Sequence, residues 1–250
     1  MTLTLIGYGF VGKAVYNSLN QANNIIVVDP KYNDNQIEDT DGYIICVPTP
    51  LSYDGSCNMK YVFDVIEQIP DNKPILIKST ISLEGWNKIK YWYPDKQISF
   101  SPEFLVATQA NEDFANQTSM LIGGDNYIFW TEVFKKSFPE ISFYIDKVET
   151  LILTKYARNC FLATKVAFFN DLYKLAEAAG VDYHNLRRLT AMDERIGSSH
   201  TQVPGPDGEF GFGGACFPKD TRALVKTARH YNQNMTVLKA AIRQNSEVRD

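Results

Sequence analysis

The sequence has no long apolar run, no block of like charges and few of the residues that bind metals or form disulfides. Its apolar runs are shorter than the ~20 residues that a membrane-spanning helix needs, so we expect no membrane segment. The net charge is -4, with acidic and basic residues interspersed. This distribution disfavours a nucleic acid or an anionic membrane as the partner.

There are four cysteines and three histidines in the 250 residues. The cysteines form no Cys-x-x-Cys pair, and the histidines stand in unrelated contexts, so we expect neither a disulfide framework nor a metal site. Cys46 and Cys160 read as buried apolar residues, and Cys57 as an exposed thiol in a polar loop. The sequence begins without the pattern of a secretory signal, which predicts a cytoplasmic location.

Short apolar runs recur in the first half and alternate with helix-length segments, as expected of a parallel sheet with helices on both faces. The predicted strands are 3–6, 25–28, 43–47, 75–77, 98–100, 120–122 and 141–145. We therefore predict an α/β fold in which a Rossmann-type doubly wound sheet forms a first domain at residues 1–146.

Residues 149–179 contain neither proline nor glycine, and Gly180 follows where a helix C-cap would stand. As one helix this stretch would be about 47 Å long, at about 1.5 Å per residue, and apolar around much of its circumference. Such a helix needs cover on several sides, so we predict a homodimer through it. Shorter helices are predicted at 184–192, at 220–231 and from Thr236, giving a helical second domain at 147–250.

Gly7, Gly9 and Gly12 follow a predicted strand and open a helix, in the pattern that places amide groups around a pyrophosphate. The next strand ends at Asp29, whose carboxylate can bind both ribose hydroxyls and repel a 2′-phosphate. This favours NAD over NADP, although Lys31 could partly offset the repulsion. The alternative is a tight turn with a capping aspartate.

Two further features indicate chemistry. Lys155 and Asn159, four residues apart, share a helix face and could stabilise an alkoxide or oxyanion, although such a pair is often only solvated surface. Cys216 lies in Gly-Phe-Gly-Gly-Ala-Cys-Phe-Pro-Lys-Asp at 211–220, just before a predicted helix start. That position, with Lys219 nearby, favours the thiolate and hence a nucleophile.

Seven segments together resemble the nucleotide-sugar 6-dehydrogenases, and among them the UDP-glucose branch. They stand in family order at 7–12, 46–50, 78–80, 101–105, 155–159, 193–197 and 211–220. The resemblance implies a four-electron oxidation of a UDP-sugar's primary alcohol to a uronate, with NAD as cofactor and with a thiohemiacetal and a thioester on Cys216. Such uronates commonly feed polysaccharide synthesis.

The resemblance also implies site residues. Lys155 and Asn159 would stabilise oxyanions, Asp220 and Thr80 would hold a water, and Glu103 would activate the hydrolytic water. Residues expected to bind the cofactor are Gly7, Gly9, Phe10, Val11, Gly12, Asp29, Lys31, Val47, Pro48, Thr49 and Thr80. Residues expected to bind substrate are Phe104, Leu105, Lys155, Asn159, Arg195, Phe210, Gly211, Phe212, Gly213 and Lys219, with Arg195 reaching the site of a second copy.

The sequence departs from the family in two respects. Family members usually continue into a C-terminal UDP-binding domain, which has no counterpart in these 250 residues. A second acid often found four residues after the Glu103 position is Ala107 here, which predicts slow hydrolysis of the thioester.

Two other functions compete with this one. A two-electron β-hydroxyacid dehydrogenase would also combine a dinucleotide fold with lysine and asparagine on a long helix, but it would not need Cys216. A non-catalytic module that binds NAD or pairs with a complete subunit would not need the whole set of reactive side chains.

Overall fold

A computed structural model describes residues 1–33 and 35–249 of the chain. Asp34 and Asp250, which fall in the first and second predicted domains, lie outside the described residues. None of the helices in these ranges is long and apolar enough to cross a membrane.

Every predicted apolar run forms a strand, and the strands make a 7-stranded sheet in the order β2-β1-β3-β4-β5-β6-β7. The strands are β1 (Thr2–Ile6), β2 (Asn24–Val28), β3 (Gly42–Ile45), β4 (Pro74–Ile77), β5 (Gln97–Phe100), β6 (Ser119–Gly124) and β7 (Ser142–Ile145). All neighbours are parallel except β5 and β6, which pair antiparallel. The predicted doubly wound fold is confirmed, with this one reversal.

The helices that lie between the strands in sequence are α1 (Phe10–Leu19), α2 (Lys60–Gln68), α3 (Leu83–Trp92), α4 (Ala110–Ala115) and α5 (Tyr127–Ser137). The central strands are continuous apolar runs because helices cover both faces of the sheet, and Leu5, Ile44 and Leu76 are fully buried. The chain leaves β1 toward β2 on one side and later returns to β3 on the other. This reversal opens a crevice at the carboxyl ends of β1 and β3.

The long predicted helix forms as α6 (Val148–Ala179), with 32 residues. Gly180 follows it with φ +66°, the left-handed conformation that commonly ends a helix at glycine. Then come α7 (Tyr183–Thr190), α8 (Phe217–His230) and α9 (Thr236–Val248). Helix α8 begins three residues earlier than predicted because Pro218 fits its first turn, and Cys216 is therefore its N-cap.

The chain divides into two compact units, the first comprising Met1–Pro50 and Asn58–Lys155, the second Leu51–Cys57 and Tyr156–Asp250. The functions predicted for residues 1–146 and 147–250 stay predictions. The segment Leu51–Cys57 is closed by an antiparallel bridge between its end residues. Asp54 in this segment pairs with Lys226 of α8 at 2.9 Å, and hydrogen bonds from Ser56 and Lys226 lower its pKa.

The prediction that Cys57 is exposed was wrong, since only 8% of its surface is accessible. The polar residues around it suggested an exposed loop, but the bridge from Leu51 turns the thiol inward.

Candidate active site

The glycine loop joins β1 to α1 in the crevice of the first unit. Gly7 has φ +93°, and a Cβ there would collide with the backbone at Cys46. A Cβ on Gly12 would overlap the Gly7 carbonyl, so these two glycines allow the tight turn and the close approach of the helix. Gly9 has open space at its Cβ position, where a ligand could approach the backbone.

Asp29 lies beside this loop, at the end of β2. Its Oδ2 accepts a hydrogen bond from the Tyr8 amide at 2.6 Å, and its Oδ1 accepts one from the Lys31 amide at 2.9 Å. The Lys31 ammonium lies 5.8 Å from the centre of the Tyr32 ring. The Lys13 ammonium also lies over Tyr32, at 4.9 Å, so the crevice has two cations above one ring.

Predicted cofactor residues also follow β3 and β4. Ser79 donates a hydrogen bond to the Val47 carbonyl at 2.8 Å, which ties together the segments after these two strands. Pro48 and Thr49 continue the first segment, and the half-buried Thr80 continues the second. With Phe10 and Val11 at the start of α1, the predicted cofactor residues therefore lie at the carboxyl edge of the sheet.

A buried ion pair joins Glu103 to Lys155, two of the predicted catalytic residues in the first unit. Lys155 Nζ donates to Glu103 Oε1 at 2.8 Å and to the Glu103 carbonyl at 2.5 Å. The other carboxylate oxygen, Oε2, accepts from the Leu105 amide at 2.8 Å. The side chains are 7% and 5% exposed, so each charge depends on the other for compensation. The Phe104 ring lies 5.4 Å from the ammonium.

Sequence reasoning missed the role of Lys78, although it quoted the segment 78–80. The Lys78 ammonium is buried and donates to the carbonyl and the hydroxyl of Ser101, each at 3.1 Å. Burial lowers its pKa to about 8 and raises the pKa of nearby Cys46 to about 12. Lys78 thus holds Ser101, at the start of the segment that carries Glu103, in place by two hydrogen bonds. Cys46 is a protonated thiol that packs as an apolar residue.

The second unit brings Asn159, Asp220 and Lys219 together. Asn159 Nδ2 donates to Asp220 Oδ2 at 2.5 Å, and Lys219 Nζ donates to Asp220 Oδ1 at 2.5 Å. Both oxygens of the carboxylate therefore accept a hydrogen bond. This compensates for the loss of water, since Asp220 has no exposed surface. The Asp220 amide donates to the Cys216 carbonyl at 2.8 Å, in the first turn of α8. This links the buried carboxylate to the half-exposed thiol residue.

The remaining predicted substrate residues are placed differently. Arg195 is 89% exposed and forms an ion pair with Asp193 at 2.5 Å, and it contacts none of the other predicted residues among those described. The ring of Phe212 is buried against Ala163 and Ala167, and that of Phe210 packs on Tyr173. The Phe212 ring is therefore packed inside the second unit, whereas Phe210 is half-buried.

Cys160 is buried in α6, and burial raises its pKa to about 12, as suits an unreactive thiol. All four cysteines are thiols, and only Cys216 is not buried. Among the described residues, no cluster of three or more His, Cys, Asp and Glu side chains could hold a metal ion.

Family models match most of the chain. The NAD binding domain of the UDP-glucose/GDP-mannose dehydrogenase family matches residues 30–129. The central domain of the same family matches residues 149–247. NAD is thus the cofactor of the matched first domain.

Curated relatives agree. The chain is 34% identical to UDP-glucose 6-dehydrogenase of Rickettsia felis over 229 residues, which is 86% of this chain and 50% of that protein. It is 31% identical to UDP-glucose 6-dehydrogenase TuaD of Bacillus subtilis over 229 residues, covering 85% of this chain and 48% of the relative. The chain therefore spans about half the length of these enzymes.

Solved structures show the same architecture. A UDP-glucose dehydrogenase from Pyrobaculum islandicum superposes with a TM-score of 0.84 at 25% identity, covering 98% of this chain and 68% of that one. A 3-hydroxyisobutyrate dehydrogenase from Mycobacterium tuberculosis has a TM-score of 0.77 at 17% identity, covering 98% of this chain and 92% of that one, and shows the fold alone. Because the two matched models are consecutive domains of one family and the relatives extend across both, this chain belongs to the UDP-glucose/GDP-mannose dehydrogenase family.

Proposed function

We propose that the chain oxidises the primary alcohol of UDP-glucose to a carboxylate in two steps at Cys216. The observation that carries this proposal is the second unit's cluster, in which a buried Asp220 is held by Asn159 and Lys219 one helical turn from the Cys216 thiol. A chain that only binds a nucleotide has no use for a buried carboxylate beside a thiol at a helix N-terminus.

The residues of the glycine loop fit NAD. Gly9 leaves the approach to the α1 N-terminus open, and the Asp29 carboxylate stands at the end of β2 where a ribose would lie. When bound, NAD accepts a hydride at each of two oxidation steps, so one sugar yields two NADH. Lys31 and Lys13 are cations close to the loop that contains Asp29. Their ammonium groups could pair with a 2′-phosphate.

In the first half of the reaction, the Cys216 sulfur adds to the aldehyde carbon made by oxidation of the alcohol. The C–S bond forms as the carbonyl π bond becomes an alkoxide, which takes up a proton to give the thiohemiacetal. Lys155 and Asn159 supply an ammonium and an amide on successive turns of α6, the groups needed to stabilise that oxygen. Loss of a hydride from the thiohemiacetal carbon and of the proton from its hydroxyl then leaves a thioester on Cys216, as the C–O bond becomes a carbonyl.

In the second half, water hydrolyses the thioester and restores the thiol. Glu103 is the group proposed to take a proton from this water. Its carboxylate is held by the Lys155 ammonium, so Glu103 must loosen this ion pair to act as a base. The position four residues after Glu103 is Ala107 and supplies no second acid there, which supports slow hydrolysis. Asp220 and Thr80 are proposed to hold a water, as the family resemblance implies.

We also propose a homodimer through α6. Large apolar side chains on this helix are exposed in the single chain, among them Phe161 at 68%, Phe168 at 60% and Leu175 at 63%. They are seven residues apart and therefore lie along one stripe of the helix, which a second copy would cover. Arg195 is proposed to reach the substrate of that second copy. The expected cytoplasmic location stays a prediction.

The test is the amount of NADH formed per UDP-glucose consumed, followed at 340 nm with the purified chain. Two NADH per sugar support the four-electron route, and one NADH indicates a stall at the aldehyde or thiohemiacetal. Cys216→Ser should abolish uronate formation, since an alkoxide cannot replace the thiolate at neutral pH. Cys57→Ala, which removes a buried thiol distant in sequence, is the matched control and should retain turnover.

A two-electron hydroxyacid dehydrogenase is the second candidate, because such an enzyme would also combine a dinucleotide fold with Lys155 and Asn159 on a long helix. Cys216→Ser would leave such an enzyme active on its hydroxyacid. The third candidate is a binding module. Saturating UDP-glucose should raise the melting temperature of an enzyme that binds it, and a chain that is stabilised by NAD alone would favour the module.

A further inference from the structure

The glycine-rich segment before Cys216 has its backbone bonded by side chains from two helices. The Gly211 amide donates to Asn170 Oδ1 of α6 at 2.9 Å. The Phe212 amide donates to Asn245 Oδ1 of α9 at 2.5 Å, and Asn245 Nδ2 donates back to the Phe212 carbonyl at 3.1 Å. One amide side chain thus pairs with both polar groups of one residue, as a neighbouring strand would.

Arg249, which follows α9, extends this clamp. Its guanidinium donates to the Phe210 carbonyl at 3.3 Å and to Asp207 Oδ2 at 2.6 Å. The Asp207–Arg249 ion pair is partly buried, and the hydrogen bond from Arg249 lowers the pKa of Asp207. The backbone carbonyls of Phe210 and Phe212 therefore accept hydrogen bonds from Arg249 and Asn245, respectively.

The glycines of the segment are required by this packing. Gly211 has φ +71°, and a Cβ there would overlap Asn245 Oδ1. A Cβ on Gly213 would overlap the Arg249 guanidinium. The ring of Phe212 meanwhile anchors in the apolar cluster of the second unit. The loop and the end of α9 are thus built around each other, although the sequence suggested that these glycines make room for substrate.

We propose that Asn245 is a positioning residue for Cys216. By fixing both polar groups of the Phe212 peptide, Asn245 sets the conformation of the four residues that lead to the α8 N-cap. Asn170 secures the preceding amide from the other side. Without this clamp a segment with glycine at 211, 213 and 214 has few restraints, because glycine loses more conformational freedom on ordering than any other residue. The inference rests on the proposed function only in giving Cys216 a catalytic use.

Asn245→Ala and the adjacent Ser246→Ala test the proposal in the full chain. Ser246 is exposed on the same helix, and its hydroxyl bonds only within it, to the Ile242 carbonyl. Hydrogen–deuterium exchange of peptides covering 210–214 should accelerate by about tenfold in Asn245→Ala, the loss expected for about one net hydrogen bond and its return partner. Ser246→Ala should exchange like the wild type.

Two functional measurements accompany the exchange. The rate at which iodoacetamide alkylates Cys216, located by peptide mapping, should change in Asn245→Ala and not in Ser246→Ala. In turnover, kcat should fall by about tenfold while the KM for NAD stays within about twofold, since the glycine loop at Gly7 belongs to the other unit. A purely structural role would lower thermal stability without this division between kcat and KM.

The outcomes separate the two ideas. Unchanged exchange in segment 210–214 of Asn245→Ala overturns the clamp, whatever the activity. Faster exchange and altered alkylation in Asn245→Ala support the clamp. If the wild type at the same time makes no NADH, the proposed function is overturned. If Asn245→Ala does not fold, Asn170→Ala replaces it. Loss of protection confined to 210–214 in that variant supports the clamp, and its absence overturns it.

Discussion

The side-chain amide of Asn159 donates a 2.5 Å hydrogen bond to the fully buried carboxylate of Asp220, across 61 residues of sequence. Lys219 binds the second carboxylate oxygen. A buried negative charge with a neutral donor on one side and a cation on the other is stable only while both remain. A substitution at Asn159 therefore tests how much the Asn159–Asp220 contact stabilises the protein.

Asn159→Asp should destabilise the protein, because it places a second carboxylate against Asp220. The repulsion exists only while both carboxylates are ionised, so the loss of stability relative to the wild type should be smallest at low pH and should grow as the pH rises. We expect a loss of about 3 kcal/mol near neutral pH. Urea unfolding at several pH values measures it. Equal loss at acid and neutral pH would contradict the charge explanation.

Glu103→Gln should leave the Lys155 ammonium buried without its opposite charge. This costs about 3 kcal/mol of stability. It should also slow thioester hydrolysis, so that an acyl adduct on Cys216 becomes visible by intact mass after incubation with UDP-glucose and NAD. Glu112→Gln, an exposed acid in α4, is the control. Rapid turnover of Glu103→Gln without an adduct would remove Glu103 from the hydrolytic step.

Lys78→Met should remove a pH dependence of stability. Burial lowers the pKa of Lys78 from 10.5 to about 8, so between these values the unfolded chain binds more protons than the folded protein. Stability from this group therefore rises with pH across that window, and the full cost of the buried charge, about 3 kcal/mol, is present below pH 8.

The measurement for Lys78 is the difference in unfolding free energy between wild type and Lys78→Met. The unfolding free energy of the wild type should increase relative to that of Lys78→Met as pH is raised from about 7 to about 10, a range that spans the titration of Lys78. Because the raised pKa of Cys46 acts in the opposite direction and itself depends on the Lys78 charge, both proteins are compared in a Cys46→Ala background. Lys135→Met, at an exposed position in α5, should show no such shift.

Phe168→Glu should dissociate a homodimer formed through α6. The ring is 60% exposed in the single chain, so the change costs little in the monomer but would bury a charge in an apolar interface. Sedimentation velocity of the wild type should show a dimer, and that of Phe168→Glu a monomer. Lys174→Glu, exposed on the same helix, controls for added charge. A wild type that sediments as a monomer at high concentration would contradict the dimer.

Sequence reasoning succeeded where the determinants are local. The glycine loop and Asp29 are separated by one helix, and the spacing of Gly7, Gly9 and Gly12 encodes the turn itself. The four-residue spacing of Lys155 and Asn159 placed both on α6, but it could not assign their partners. Those partners, Glu103 and Asp220, come from distant segments whose positions depend on the assembled core.

The misses share a physical cause. Lys78 and Asn245 are polar residues that normally lie in solvent, and nothing in their neighbours distinguishes a buried donor from a hydrated one. Each becomes identifiable only when its acceptors, Ser101 and Phe212, are seen. The packing of the Phe212 ring was likewise not evident from the sequence, because a glycine-rich loop does not show which side of it is packed.

The short bridge-closed segment Leu51–Cys57 has a practical consequence. The chain passes from one compact unit to the other after Pro50, after Cys57 and after Lys155. A protease cut or gene boundary at 155 would therefore place Asp54 and its ion-pair partner Lys226 on different fragments. The C-terminal fragment would lack Leu51–Cys57 of its own compact unit, and the N-terminal fragment would carry that segment without its unit. Mixing the two fragments would be needed to restore the second unit.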